Sequence, residues 1–176
     1  MNAVDAPEGA VLRILVADSH VFQRRLLAET LRASRRVIID HADSAEQCAQ
    51  ALGIIQPDIL IVDWELDRGH GLDLVHRVRR SELGEHLKKL PIILVSPPRA
   101  RREVSRARNS GIDEFLLRPY TTGAMLERVA EARENRREFV DSPNYIGPCR
   151  RRRAADASYT GPRRRLFDGA DAEADA

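Results

Sequence analysis

Four short apolar stretches of this sequence each end on polar side chains that could bind a ligand or take part in chemistry. The residues concerned are Asp18 with Ser19, Asp63, Ser96 and Arg118. Two carboxylates can hold a cation, while a hydroxyl and a guanidinium can hold the oxygens of an anionic group. Asp63 by itself would suit an ordinary turn, which aspartate commonly starts. Four such endings favour a binding site instead, because the carboxyl ends of parallel strands lie along one edge of their sheet.

The elements that must position these side chains alternate between strand and helix. Residues 59–62 form an unbroken apolar run before Asp63, which is typical of a strand buried on both faces. After the first strand, the apolar residues at helical spacing predict a buried helix face; they are Phe22, Leu26, Leu27 and Leu31. Five such strand–helix pairs predict an α/β fold with a five-stranded parallel doubly wound sheet. The predicted strands are residues 12–16, 37–39, 59–62, 92–95 and 115–117.

The motifs around the strand ends resemble the receiver domain of bacterial response regulators, the family of the chemotaxis protein CheY. The likeness spans residues 13–137 and is carried by Asp63-Trp64, by the Gly71 that follows, and by Arg118-Pro119-Tyr120. It implies the flavodoxin-like (CheY-like) receiver fold and a cis peptide bond before Pro119. It also implies a signalling module rather than an enzyme.

The same resemblance implies a role for each residue of the predicted site. Asp63 would accept a phosphoryl group, and an ionised aspartate needs no separate base to act as a nucleophile. A Mg²⁺ ion would neutralise part of the charge that meets there. The implied phosphoryl-contacting and switching residues are Ser96, Arg118 and Phe115, and the implied metal ligands are Asp18, Asp63 and the backbone carbonyl of Glu65.

Three residues depart from the family pattern. Ser19 stands where the family has a second acidic ligand, which removes one negative charge from the metal site. Arg118 replaces the family's lysine, so a planar fork of donors stands in for a compact point charge. Phe115 stands where many members carry a switching tyrosine. These changes predict weakened Mg²⁺ binding, and they leave open whether the receiver is phosphorylated or serves only as a folded interaction scaffold.

An arginine-rich segment follows the last predicted helix. Between Arg150 and Arg165 the sequence holds seven arginines and one acid, Asp156, and four acids follow Leu166. Proline, glycine and a lack of apolar periodicity predict a largely disordered tail over residues 139–176 with an acidic end. The predicted organisation is therefore a flexible N-terminus over residues 1–11, a receiver over residues 12–138 and this tail.

The tail carries two near-repeats that place a tyrosine just ahead of an arginine cluster, Y-I-G-P-C-R-R-R-R and Y-T-G-P-R-R-R. Arginine forks bind phosphates, and guanidinium planes and tyrosine rings stack on bases. The arginines followed by D-A-S-Y-T-G are locally similar to the cyclic-di-GMP motif of PilZ domains, and the chain resembles CheY-like cyclic-di-GMP effectors. The predicted nucleotide-binding residues are Tyr145, Arg150, Arg151, Arg152, Arg153, Asp156, Ser158, Tyr159, Arg163, Arg164 and Arg165.

Three functions remain open at the level of sequence. The first is a cyclic-di-GMP-binding adaptor that docks on a partner such as the flagellar motor switch. The second is a receiver phosphorylated by a histidine kinase, with an incidental tail. The third is nucleic-acid binding through a basic arm, whose affinity should fall steeply with salt. A basic stretch over residues 99–108 is a further surface for an anion.

Cysteine content and hydropathy argue against a disulfide-stabilised protein and against a membrane-spanning protein. Cys48 and Cys149 are too few for a disulfide framework and lack metal-ligand spacing, which fits a reducing compartment. No apolar run approaches the length of a membrane span, and the N-terminus lacks the core of a signal peptide. The expectation is a soluble cytoplasmic protein without membrane insertion.

Overall fold

The computed structural model of the chain describes residues 11–33 and 36–150. The strands are β1 Leu12–Ala17, β2 Val37–Ala42, β3 Ile59–Asp63, β4 Ile92–Ser96, β5 Glu114–Leu117, β6 Phe139–Ser142 and β7 Tyr145–Pro148. The α-helices are α1 Val21–Arg32, α2 Ala45–Ile55, α3 Gly71–Arg79, α4 Arg101–Asn109 and α5 Thr122–Glu134, and short 3-10 helices cover Leu66–Arg68 and Glu85–Leu87.

The first five strands form one parallel sheet in the order β2-β1-β3-β4-β5. This order confirms the predicted doubly wound, flavodoxin-like arrangement. β3 lies at the centre and all five of its residues are buried, as its continuous apolar run predicts. The register pairs Asp63 with Val95 and Ser96 with Leu117, so the last residues of neighbouring strands lie side by side. The sheet therefore brings the polar strand ends to one edge.

Two hydrophobic clusters fill the space between the sheet and its helices. On one face, side chains of α2 and α3 with Ala107 of α4 pack on Leu60, Val62 and Leu94. On the other face, side chains of α1 and α5 pack on Ile61 and Ile93. Because successive strand residues point to opposite faces, each central strand contributes to both clusters. Burial on both sides makes this sheet a rigid frame for the site at its edge.

The predicted inner face of α1 is only partly right. Leu27, Ala28 and Leu31 form the buried stripe, as helical spacing requires. Phe22 and Leu26 have 77% and 57% of their surface exposed, although the sequence pattern predicts both inside. They lie one turn apart, away from the stripe that faces the sheet and α5, and they leave an apolar patch on the surface.

Residues 139–148 form an antiparallel hairpin of β6 and β7, with Phe139 opposite Pro148 and Ser142 opposite Tyr145. The hairpin lies against the amino ends of β4 and β5, the end of the sheet opposite Asp63. Lys88 Nζ reaches Asp141 Oδ2 at 2.6 Å, and Arg137 Nη1 donates to the carbonyl of Cys149 at 3.1 Å. A two-stranded hairpin is marginally stable alone, so these contacts with the receiver hold it in place.

This hairpin corrects the predicted domain boundary at residue 138. Residues 139–150 are folded onto the receiver rather than disordered, because Phe139, Asp141 and Arg150 contact Arg79, Lys88 and Asn109. The predictions for residues 1–10 and for residues 151–176 lie outside the described residues. Within the part of the chain that is described, no helix is both long enough and apolar enough to cross a membrane.

Candidate functional site

The candidate site lies at the carboxyl ends of β1, β3 and β5, with β4 between the last two strands. Asp18 follows β1, Asp63 ends β3 and Arg118 follows β5. Asp18 and Asp63 are 1% and 3% exposed, so their carboxylates are almost completely removed from water. Placing two such groups close together in a protein interior is costly unless a positive charge or hydrogen-bond donors compensate. The structure therefore has to supply a counter-ion.

Arg118 supplies that counter-ion with its guanidinium group. Its Nη1 donates to Asp63 Oδ1 at 2.6 Å, and its Nη2 donates to Asp18 Oδ2 at 3.0 Å. One planar side chain thus joins the two acids through two different nitrogens, which a lysine ammonium cannot do with the same fixed geometry. The peptide bond between Arg118 and Pro119 is cis, as the resemblance implies.

The environment of Asp18 opposes its ionisation. Burial raises the pKa of the Asp18 carboxyl above its usual range, and the neighbouring charge of Asp63 raises it further. The backbone N–H of His20, which donates to Asp18 Oδ1 at 2.8 Å, and the Arg118 guanidinium act in the opposite direction. The backbone carbonyl of Asp18 is also bonded, by the Arg24 guanidinium. Asp18 is therefore held in place by three neighbouring residues.

Ser96 ends β4, as predicted, and Phe115 is the second residue of β5. Ser96 is fully buried, and its hydroxyl donates to the carbonyl of Pro97 at 2.8 Å instead of pointing a free hydrogen at Asp63. Phe115 is partly buried and packs against the cluster beneath α2 to α4. In this arrangement Ser96 would have to rotate before its hydroxyl could contact a group on Asp63.

The ligand types suit a hard cation, and Asp18, His20 and Asp63 bring ligand atoms within 4.8 Å of one another. Asp18 and Asp63 would hold a Mg²⁺ ion, although one oxygen of each is already bonded to Arg118. The Glu65 carbonyl accepts the N–H of Arg68 at 3.0 Å. The Ser19 hydroxyl accepts the N–H of Asp67 at 3.0 Å and so stabilises the loop after β3. The sequence prediction missed His20, because a lone histidine beside an aspartate carries no spacing signal.

Trp64 and Arg99 close the side of the site toward α4. The guanidinium of Arg99 lies 5.2 Å from the centroid of the Trp64 ring, and it also pairs with the Glu65 carboxylate. Its Nε approaches the Ser96 hydroxyl at 3.4 Å. Trp64 is 6% exposed and directly follows Asp63 in the sequence. Its ring is therefore buried beside the candidate site and in contact with Arg99.

A second group of predicted residues lies at the other end of the molecule, where the tail begins. Arg150 donates to Asn109 Oδ1 at 2.6 Å, and its guanidinium lies 4.5 Å from the centroid of the Tyr145 ring. A small cavity is lined by Tyr145 and Arg150 together with Arg108 and Arg137. The prediction that Tyr145 offers a free ring for stacking is wrong, because this side chain is 9% exposed and Arg150 covers it.

The remaining predicted nucleotide-binding residues lie outside the described residues. They are Arg151, Arg152, Arg153, Asp156, Ser158, Tyr159, Arg163, Arg164 and Arg165. The structure thus fixes the starting point of the arginine run, Arg150, on the surface formed by α4 and β7.

Comparison with known proteins identifies the family. Residues 14–130 match the response regulator receiver domain. The chemotaxis protein CheY1 of Helicobacter pylori is 26% identical over 119 residues, which cover 67% of this chain and 94% of that protein. The chemotaxis protein CheY of Pseudomonas aeruginosa is 26% identical over 118 residues, covering 67% and 93%.

Solved structures agree with the sequence relatives. A response regulator receiver protein from Pseudomonas putida superposes with a TM-score of 0.60 at 30% identity, covering 69% of this chain and 98% of that one. The hairpin and the arginine run lie beyond the matched residues 14–130. The strand order, the buried aspartate pair and these matches lead to one conclusion: the chain belongs to the response regulator receiver domain family, the CheY-like module of two-component signalling.

Proposed function

We propose that this chain is a non-enzymatic signalling adaptor, whose receiver docks on a protein partner such as the flagellar motor switch and whose arginine-rich segment binds cyclic-di-GMP. The observation that carries the proposal is the position of Arg150. Its bond to Asn109 and its stacking on Tyr145 hold the first arginine of the run against α4. Arg108 and Arg137 line the same cavity together with the acids Asp113 and Glu114, so arginines exceed acids there by one.

The ligand chemistry follows from this concentration of guanidinium groups. Cyclic-di-GMP presents two phosphates and two guanine bases, and arginine forks suit both the phosphates and the N7 and O6 edge of guanine. The Arg150 side chain is exposed, so a guanine can stack on the guanidinium face turned away from Tyr145. Asp156 is suited to accept hydrogen bonds from guanine N1 and N2, and Tyr159 supplies a second stacking ring.

Replacing Arg152 and Arg153 with alanine is expected to weaken cyclic-di-GMP binding at least about tenfold. Each lost charge-assisted bond costs about 1.5–3 kcal/mol, and 1.4 kcal/mol corresponds to a factor of ten. Calorimetric titration of the full chain measures both the affinity and the stoichiometry. The receiver should keep its thermal midpoint, because these residues lie beyond the packed hairpin.

The matched control is the double replacement of Arg101 and Arg102 on α4 with alanine, which removes the same charge from an exposed surface. The proposal predicts a smaller loss for this control. An equal loss in both variants would contradict a specific tail site. Binding of single-stranded oligonucleotides at least as tight as that of the dinucleotide, with a steep salt dependence, would favour the nucleic-acid alternative.

A phosphorylation-controlled receiver remains the second candidate, favoured by the retention of Asp63 and Ser96 at one sheet edge. In that function a histidine kinase supplies the phosphoryl group, the Asp63 carboxylate attacks phosphorus, and the donor's bond to phosphorus breaks. A bound Mg²⁺ ion would neutralise charge on the transferred group. Incubation with a small phosphoryl donor, followed by intact mass measurement, tests this function. A gain of one phosphoryl group that Asp63→Asn abolishes would support it.

A further inference from the structure

We infer that Arg118 is a built-in counter-ion of the aspartate pair, which competes with Mg²⁺ for the same carboxylates and keeps the receiver site charge-compensated without metal. The inference goes beyond the proposed function and holds whatever ligand the arginine run binds. It rests on the two bonds from one guanidinium, 2.6 Å to Asp63 Oδ1 and 3.0 Å to Asp18 Oδ2.

The charges at the site explain why this arrangement is stable. Asp18 and Asp63 are both buried, and bringing them together without compensation would be costly. Arg118 neutralises one of the two charges and satisfies one oxygen of each acid. The second oxygen of Asp18 accepts the N–H of His20 at 2.8 Å, so it too has a donor. The carboxylate pair is thus largely satisfied by the protein itself.

A Mg²⁺ ion would face two obstacles at this site. It requires oxygen ligands in close, nearly octahedral geometry, and Arg118 already engages one oxygen of each acid. Placing a divalent cation beside a guanidinium also adds like-charge repulsion, which is strong where water is excluded. Ser19 cannot compensate, because it offers a hydroxyl that accepts the N–H of Asp67. Arg118 therefore competes with the metal for both carboxylates.

The decisive variant is Arg118→Lys in the full chain. Lysine keeps the positive charge but has a single ammonium group on a flexible stem, so it can pair with one acid and leave the other to a metal. Trp64 is the only tryptophan of the sequence and adjoins Asp63, so its fluorescence reports cation binding at the site. Titration with Mg²⁺ at constant ionic strength is expected to show at least about tenfold tighter binding for Arg118→Lys than for the natural chain.

Two further variants separate competition from charge deficit. Ser19→Asp adds a carboxylate without removing the guanidinium, so we expect it to gain less affinity than Arg118→Lys. Arg102→Lys changes an exposed residue of α4 outside the site, so it should leave the Mg²⁺ affinity unchanged. The increase of the thermal midpoint with Mg²⁺ gives a second readout that does not depend on the tryptophan.

Several outcomes would overturn the inference. The natural chain could bind Mg²⁺ as tightly as Arg118→Lys, which would show that the guanidinium does not compete. Ser19→Asp could match or exceed Arg118→Lys, which would assign the weak binding to the missing acid alone. If Arg118→Lys does not fold, Arg118→Gln takes its place. Mg²⁺ should then raise the midpoint of Arg118→Gln and not that of the natural chain, and the reverse would contradict the inference.

Discussion

Replacement of Arg79 by methionine is expected to lower the free energy of unfolding by about 3–5 kcal/mol, because it breaks a buried ion pair. Arg79 is 2% exposed, and its Nη2 donates to Asp113 Oδ2 at 2.8 Å. The other guanidinium nitrogens donate to three backbone carbonyls, those of Gly111, Lys88 and Leu90, at 2.7 to 2.9 Å. Methionine fills much of the volume but removes the donor of these carbonyls and the counter-charge of Asp113, which keeps the N–H of Ile92 at 2.8 Å.

The pKa shifts of Arg79 and Asp113 show that burial disfavours the charged form of both side chains. Burial lowers the pKa of the Arg79 guanidinium and raises the pKa of the Asp113 carboxyl, and each partner is the main charge that opposes the shift of the other. Removing one partner therefore leaves the other poorly solvated. A double variant, Arg79→Met with Asp113→Asn, should recover part of the lost stability, since the unpaired acid is gone.

Urea unfolding at neutral pH measures these differences, and Arg80→Met is the matched control. Arg80 is the next residue along the chain and is exposed, so its replacement is expected to change the free energy of unfolding by no more than about 0.5 kcal/mol. Equal stability of the Arg79 and Arg80 variants would contradict the assigned role of Arg79.

Replacement of Gly111 by alanine is expected to destabilise the protein by about 2–4 kcal/mol and to loosen the hairpin. Gly111 has φ of +92°, a conformation that residues with a side chain rarely adopt. An added Cβ would also collide with the carbonyl oxygen of Ile146 in β7. That oxygen belongs to the backbone, so it can move away only if the hairpin moves with it.

Amide hydrogen exchange over residues 139–149 tests the second half of this prediction, because an undocked hairpin should lose its protection while the sheet keeps its own. Gly53→Ala provides a control for which a gain in stability is expected instead of a loss. Gly53 lies within α2 and a Cβ there meets nothing within 4 Å, so alanine should stabilise the helix by about 0.5–1 kcal/mol. Unchanged exchange in Gly111→Ala would mean that the hairpin does not depend on this close approach.

The sequence was sufficient to predict the sheet and its functional edge. The apolar runs that stop at Asp63 and Ser96 predict the ends of β3 and β4. Both strands are buried on two faces, so their sequences are apolar throughout and do not alternate between apolar and polar residues. The presence of Arg118 at the same edge follows from the parallel order of the strands. Its contact with both aspartates does not, because the direction of a long side chain depends on which acids lie nearby in three dimensions.

The hairpin and the patch on α1 could not be predicted for related reasons. Residues 139–148 have short strands joined by Pro143 and Asn144, and proline and glycine in that stretch are equally typical of a disordered tail. Its order comes from contacts with residues far away in the sequence, such as Lys88 and Gly111. Phe22 and Leu26 are predicted to be buried but are exposed. Helical periodicity identifies an apolar face but does not show whether another part of the protein covers it.

The bond between Arg150 and Asn109 has a consequence for partner recognition under the proposed function. A ligand bound by the residues after Arg150 would be tethered close to α4, at an effective concentration in roughly the millimolar range. A partner that binds α4 would then contact the receiver and the ligand at the same time, as one composite binding surface. Two individually weak contacts would act together, with a gain of roughly 10²–10⁴ over either one. Such a partner would respond to the coincidence of protein and messenger, and only weakly to the protein without its ligand.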